Sequence, residues 1–357
     1  MRDKKTGRKR KELALLSLPM THPLEHGAGE ASLQADSGLL EGFSKHRRYN
    51  HQISSSLAQD MSTVDVAKRI ALCSHQLLVE VQEHSEGPPT AHLRGSRACN
   101  ARLCPWCEWR RSKVWRARLF KGMARFEEHH LNYRAVFLTL TVKNCRITEL
   151  SKTLGEMNAA WKRMRECAFF PTEYWLKRTE VTVEKHLEGQ NQQSEPFVHP
   201  HFHVLLLVRP SYFSHGYVKQ TEWQKQWMMA LRADYVPVVD VRAAYAKGKK
   251  GQTGSASSFD AVIESSKYLA KAAQVQKLGP WLTELHHQLR NLRLTSVSKK
   301  LTEYVPSKEP QTEDLESDEQ STSIDVLSRW TALAQWFEDR SEFQITEIRE
   351  GAPVASS

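Results

Sequence analysis

The stretch that most limits what this chain can fold into is residues 199–208, His-Pro-His-Phe-His-Val-Leu-Leu-Leu-Val. In a β-strand, successive side chains point to opposite faces, so His199, His201 and His203 share one face while Phe202 and Val204 fill the other. An aliphatic strand bearing imidazoles on one side has two readings. Either these are hydrogen-bonded histidines near a sheet edge, or they are ligands of a metal ion. The rest of the chain has to supply what separates the two.

At 357 residues the chain is long enough to bury a sizeable core in one large domain or two modest ones. No apolar run approaches the ~20 residues that span a bilayer. The basic N-terminus has no long apolar segment or cleavage site, so the expected protein is soluble, cytoplasmic and not bound to a membrane. In that compartment six cysteines point to metal ligands or free thiols before disulfides. The formal charge is +10, but residues 302–357 hold 13 acidic against 4 basic side chains, a net of −9, which leaves +19 on residues 1–301. A body this basic attracts polyanions and gains affinity by releasing counterions from a phosphate backbone.

Residues 1–60 begin with Arg2, Lys4, Lys5, Arg8, Lys9, Arg10 and Lys11 and show no sustained periodicity; they read as a disordered basic arm. A first module, 61–130, opens with a helical and then strand-like pattern before the break at Gly87, Pro88 and Pro89. Its signature is Cys99-Asn-Ala-Arg-Leu-Cys104-Pro-Trp-Cys107. Two cysteines separated by two residues form a turn whose thiolates can face one tetrahedral ion at ~2.3 Å, and Cys99 adds a third ligand. Cys73, His75, His84 and His92 compete for the fourth place, and Cys73 is favoured because thiolates suit zinc. A redox Cys-x-x-Cys fits poorly beside a third cysteine. Arg110, Arg111, Lys113, Arg116 and Arg118, interleaved with Trp109, Val114, Trp115, Leu119 and Phe120, then predict an amphipathic helix with a cationic face toward nucleic acid.

The second module, 131–302, reads as an α+β domain. Strands are expected at 135–142, 178–185, 201–208 and 236–241, forming a central antiparallel sheet with helices mainly on one face. Leu150, Leu154, Met157, Trp161 and Met164 mark a helix laid on that sheet, and Trp223, Trp227 and Leu231 mark another at 219–233. On the 178–185 strand, Glu180, Thr182 and Glu184 share a face. Residues 303–357 read as an acidic linker followed by an amphipathic helix carrying Val326, Trp330, Leu333 and Phe337.

A helix from about 258 to 273 follows a basic glycine loop at 247–254. At ~100° per residue, Glu264, Tyr268 and Lys271 fall on one stripe, opposite Val262, Leu269, Ala270 and Ala273. A solvated polar face is the bland account of that trio. Beside a histidine strand and a basic surface, a carboxylate, a phenol and an amine on one stripe point to chemistry on a phosphate.

The order Phe137-Leu-Thr-Leu-Thr141, then His199-Pro-His-Phe-His203, then Glu264-x-x-x-Tyr268-x-x-Lys271 resembles the three motifs of plasmid rolling-circle replication initiators, single-tyrosine members of the HUH endonucleases, in which U is a hydrophobic residue. Arg69-Ile-Ala-Leu-Cys73 and the Cys99–Arg111 block are similar to the cysteine-bearing N-terminal part of that family, so the likeness spans about 70–272. The resemblance implies an HUH-type antiparallel sheet preceded by a small zinc module. It also implies a metal-dependent nickase and strand-joining enzyme acting on single- and double-stranded origin DNA. His201 and His203 with Glu180 would hold Mg²⁺ or Mn²⁺, with Glu184 competing for the carboxylate place and His199 unassigned. Tyr268 would be the nucleophile, with Tyr245 the fallback, and Lys271 would supply positive charge. Glu264 stands where two-tyrosine relatives carry a second phenol, which implies termination by hydrolysis. No Gly-x-x-x-x-Gly-Lys-Ser/Thr loop is present, so host helicase and polymerase are expected partners. Other readings are a zinc-containing DNA-binding regulator with an inert histidine strand, and a transposase or conjugative relaxase sharing the same chemistry.

Overall fold

A computed structural model describes residues 39–183, 194–243, 275, 278–305 and 326–353. The helix expected at 258–273, the loop at 247–254, the arm at 1–11, Glu184 and Tyr245 lie outside the described residues. Among the described residues no helix is long and apolar enough to cross a membrane.

The described residues open with two helices, α1 (Glu41–Leu57) and α2 (Val64–Ala71), and a hairpin of β1 (Gln76–His84) and β2 (Thr90–Ser96). Residues 41–57 fall inside the stretch expected to be disordered, and the helix there corrects that expectation. Its core-facing side is Ser44, Arg47, Asn50, Ile53, Ser54 and Leu57, mostly polar, so no apolar stripe announces it. Tertiary hydrogen bonds satisfy these groups instead. Arg47 donates to the Ala71 carbonyl, Asn50 donates to Ile70 O at 3.4 Å, and Ser44 Oγ accepts the Phe343 N–H at 3.0 Å.

Phe343 belongs to the C-terminal hairpin. Residues 326–337, expected as a helix, form a strand that pairs with β1 along its whole length, and 342–353 form the next strand outward. The segment carries both periods: Val326, Trp330, Leu333 and Phe337 recur at helical spacing, whereas Ala332, Ala334 and Trp336 alternate. The free edge of β1 decides between them, because pairing with it buries Ala332, Ala334 and Trp336 on Leu77, Val79 and Val81. The first module is therefore built from both ends of the described chain. Arg47 seals the join, its guanidinium 5.3 Å from the Trp336 ring centroid and 3.5 Å from Glu338. Trp336→Ala should cost about 3–5 kcal/mol of stability, measured by urea denaturation. A loss below about 1 kcal/mol would mean that the hairpin contributes little to this sheet.

The long helix α3 (Pro105–His129) leaves this module and runs about 37 Å to the second sheet. That sheet is antiparallel and contains β3 (Arg134–Thr141), β4 (Cys145–Arg146), β5 (Tyr174–Val183), β6 (Phe197–Val208), β7 (Val239–Ala243) and β8 (Thr295–Val297). The order is β7-β3-β6-β5-β8, with β4 pairing the start of β6, while the C-terminal strands, β9 (Val326–Phe337) and β10 (Glu342–Pro353), complete the first sheet as β10-β9-β1-β2. Helices α4 (Leu150–Glu166) and α5 (Gln220–Leu231) cover the face of Phe202, Val204 and Leu206 through the predicted residues Leu154, Met157, Trp161, Trp223 and Trp227. The opposite face is not left bare, as a sheet with helices mainly on one side would leave it. Leu119, Met123 and Phe126 of α3 pack there on Leu176, Leu205 and Leu207. Near their contact Gly122 lies so close to Val305 that an added Cβ would come within 2.9 Å of its side chain, so the helix approaches only because this residue is glycine.

Candidate active site and cysteine knuckle

The β5–β6 register sets Glu180 opposite His201 and Arg178 opposite His203. The β3–β6 register sets Thr141 opposite His201 and Thr139 opposite His203. Strand alternation then gathers Glu180, His201, His203 and Thr139 on the face that α3 covers farther along. Glu180 Oε2 lies 2.8 Å from His203 Nε2 and 3.5 Å from His201 Nε2. The two rings meet edge to face, 4.7 Å between centroids.

Both imidazoles are oriented from behind. His201 Nδ1 lies 3.2 Å from its own strand's His199 carbonyl oxygen, and His203 Nδ1 lies 3.5 Å from Thr139 Oγ1. Phe137 stacks on His203 at 5.5 Å. A proton held on Nδ1 leaves Nε2 as the ligand atom when a cation replaces the proton shared with Glu180. Burial pushes the Glu180 carboxyl up, but hydrogen bonds from His201 and His203 outweigh it and hold the carboxyl at about 2. The group is thus an anion facing two imidazole nitrogens, with all three ligand atoms within 4.8 Å of one another. This donor set, one carboxylate oxygen and two nitrogens, could hold a divalent ion with positions left for oxygen ligands.

His199 lies outside this group. Its Nδ1 is 2.7 Å from Asn144 Oδ1, and its ring is 5.4 Å from that of His201. Glu264, Tyr268 and Lys271 lie outside the described residues, as does Glu184.

The second cluster is Cys73, Cys99, Cys104 and Cys107. Cys73 comes from the turn after α2, Cys99 from the loop after β2, Cys104 caps α3 and Cys107 sits in its first turn. A tetrahedral ion with bonds of ~2.3 Å sets its sulfurs about 3.8 Å apart. The Cys73–Cys107 and Cys99–Cys107 sulfurs are 3.6 and 3.7 Å apart, so the four thiols fit a zinc ion. Backbone N–H groups point at them: that of Cys99 donates to Cys73 Sγ at 3.3 Å, and that of Asn100 donates to Cys107 Sγ at 3.3 Å. Such donors stabilise thiolate charge. Burial pushes the Cys104 thiol up, while hydrogen bonds from Cys104, Cys107 and Cys99 hold Cys73 below the usual thiol range. His75, His84 and His92 are not in the cluster. The latter two instead flank Thr90 Oγ1, at 2.9 and 3.1 Å.

Pattern reading missed one neighbour of the site, Arg178, which lies buried opposite His203 where a sequence period shows only an isolated charge.

Comparison with known proteins points to one family. The family model described as replication protein matches residues 90–343, well over half of the chain. The chain is similar to Protein rep of Streptococcus pneumoniae serotype 2, 30% identical over 252 residues that cover 66% of this chain and 74% of that protein. It is 31% identical over 233 residues to Protein rep of a Bacillus species, covering 61% and 70% of the two chains. With Protein rep of Lactiplantibacillus plantarum it shares 37% identity over 180 residues, covering 49% and 53%. No solved structure matches it.

Proposed function

We propose that this chain, which belongs to the replication-protein family of plasmid rolling-circle initiators, starts replication by nicking one strand of origin DNA through a tyrosine-linked intermediate. The observation that carries the reading is the convergence of Glu180 with His201 and His203 of the second of three ordered motifs on one sheet face.

Glu180, His201 and His203 would hold Mg²⁺ or Mn²⁺, which supplies positive charge to the scissile phosphate and orients it. Tyr268 Oη attacks the phosphorus in line with the departing 3′ oxygen. The Oη–P bond forms, the P–O3′ bond breaks, and the phenolic proton is lost while the 3′ oxygen gains one. The products are a 5′-phosphotyrosine and a 3′-hydroxyl that primes synthesis. A phenol with an ordinary pKa near ~10 needs help at neutral pH, and the Lys271 ammonium, about one helical turn on, offers a cation to the phenolate or to the phosphate. The strand can be joined again by attack of a 3′-hydroxyl on the phosphotyrosine, the reverse of the same displacement.

Glu264 precedes Tyr268 by four residues, one turn of a helix. It cannot form a second phosphotyrosine, but it can take a proton from water attacking the phosphotyrosine, which frees the enzyme after one round. Glu264→Ala is therefore expected to leave initial nicking within a few-fold of wild type and to slow release of the adduct about 100-fold or more. Equal loss of both steps would make Glu264 structural. In the cysteine knuckle, zinc would hold the first module together and fix the start of α3.

The deciding experiment incubates the protein with a single-stranded origin hairpin and Mg²⁺ or Mn²⁺, then identifies the product by mass. A peptide–DNA adduct supports the nickase. Binding without any cleaved product supports a DNA-binding regulator instead. Origin DNA is the proposed substrate, and host helicase and polymerase are the proposed partners.

A further inference from the structure

The face of β6 that carries the three histidines continues past them toward the start of the strand. By the same alternation the next side chain on it is Phe197, two residues before His199, while Val198 and Pro200 are buried on the other side. Phe197 is 44% exposed and, among the described residues, belongs to neither apolar cluster of the core. A single exposed phenylalanine needs no explanation, but this one has a cation set beside it. Arg146 of β4 is its cross-strand partner, so both side chains stand on the metal face. The guanidinium carbon lies 6.0 Å from the Phe197 ring centroid. Glu195 holds that guanidinium in place, accepting from Arg146 Nη1 at 3.0 Å and from the Thr148 N–H at 3.3 Å. At the same end of the sheet, just past β3, stands a second aromatic–cation pair, with Lys143 Nζ 4.2 Å from the Tyr235 ring centroid.

From Phe197 to His201 is four residues of strand, about 13 Å, which a single strand of DNA crosses in a few nucleotides. Aromatic faces interleaved with cations hold unpaired strands without regard to sequence, the bases on the rings and the phosphates on the cations. In a duplex the base faces are already stacked on one another, so an exposed ring of this kind selects single strands. We propose that Phe197 and Arg146 form a subsite for single-stranded DNA: one unpaired base stacks on the Phe197 ring and an adjoining phosphate meets the Arg146 guanidinium, a few nucleotides from the phosphate to be cut. This subsite presupposes that Glu180, His201 and His203 act on a DNA strand, and adds where that strand is held.

The test is binding of the full-length protein to fluorescein-labelled oligothymidine and to a blunt duplex, followed by anisotropy without added Mg²⁺ or Mn²⁺, so that no cleavage is needed. Phe197→Ala is expected to weaken binding to the single strand about tenfold and to leave duplex binding within about twofold. Phe197→Trp, which restores a stacking face, should bind the single strand at least within about threefold of wild type. Arg146→Gln should lower the slope of log affinity against log salt by about 0.7, the share of one phosphate on a single strand. Single-strand affinity unchanged by Phe197→Ala overturns the subsite, as does an equal loss on the duplex or a salt slope that Arg146→Gln leaves unchanged. Should Phe197→Ala fail to fold, ultraviolet crosslinking of the wild-type protein to 5-iodouracil-substituted oligothymidine decides. Mass analysis is expected to find DNA on the peptide containing Phe197, and its absence there overturns the proposal. The hairpin assay separates the premises. An adduct formed by the wild type, with single-strand affinity unchanged in Phe197→Ala, overturns the subsite alone, whereas no adduct with the tenfold loss overturns the nickase and leaves a single-strand binding face.

Discussion

Tyr268→Phe is expected to abolish the covalent protein–DNA product. The substitution keeps the ring and removes one oxygen, so little bulk changes and the nucleophile is gone. Removing an attacking group outright costs on the order of a thousandfold or more in rate, because positioning and charge stabilisation alone leave only slow residual chemistry. A denaturing gel of protein incubated with the origin hairpin and Mn²⁺ should show no slow-migrating adduct, and mass analysis no DNA-modified peptide. Mn²⁺ binding is expected to persist in the same sample, since its proposed ligands lie on β5 and β6. An adduct that survives would place the nucleophile elsewhere, with Tyr245 the next residue to test.

Cys104→Ser should have the second large effect, this time on the fold. Cys104 is fully buried and caps α3, and its sulfur belongs to the four-thiol cluster. A serine hydroxyl does not ionise as a thiolate does and reaches less far, so the tetrahedral set is broken. Structural zinc contributes about 10–16 kcal/mol of apparent binding free energy in small zinc-dependent folds. That is comparable with the whole stability of a typical domain, about 5–15 kcal/mol. The zinc content of the purified variant should fall to background, and the β1–β2 hairpin with the start of α3 should become protease-sensitive. Unchanged zinc content would overturn the four-cysteine assignment.

The elements that local pattern predicted are those whose side chains report their surroundings one residue at a time. The β6 alternation of histidine and aliphatic residues and the α4 stripe from Leu150 to Met164 each follow from a backbone period of two or 3.6. The Cys-x-x-Cys turn is equally local. Glu180 could be proposed as a ligand because it alternates in phase on a neighbouring strand, although only the observed register sets it directly opposite His201. Helix α1 escaped notice because its buried side is polar. The C-terminal hairpin was misjudged because a single segment carried two periods.

By itself the sequence determined the kinds of ligand, the ordered motifs and the two clusters, since residue chemistry and short spacing survive without tertiary context. Only the tertiary structure decided that β9 pairs with β1, because an open sheet edge about 250 residues away in the chain supplied the hydrogen bonds. It alone also decided that α3 packs on the sheet face that carries His201 and His203, because Leu119, Met123 and Phe126 find Leu205 and Leu207 there, farther along the same strand.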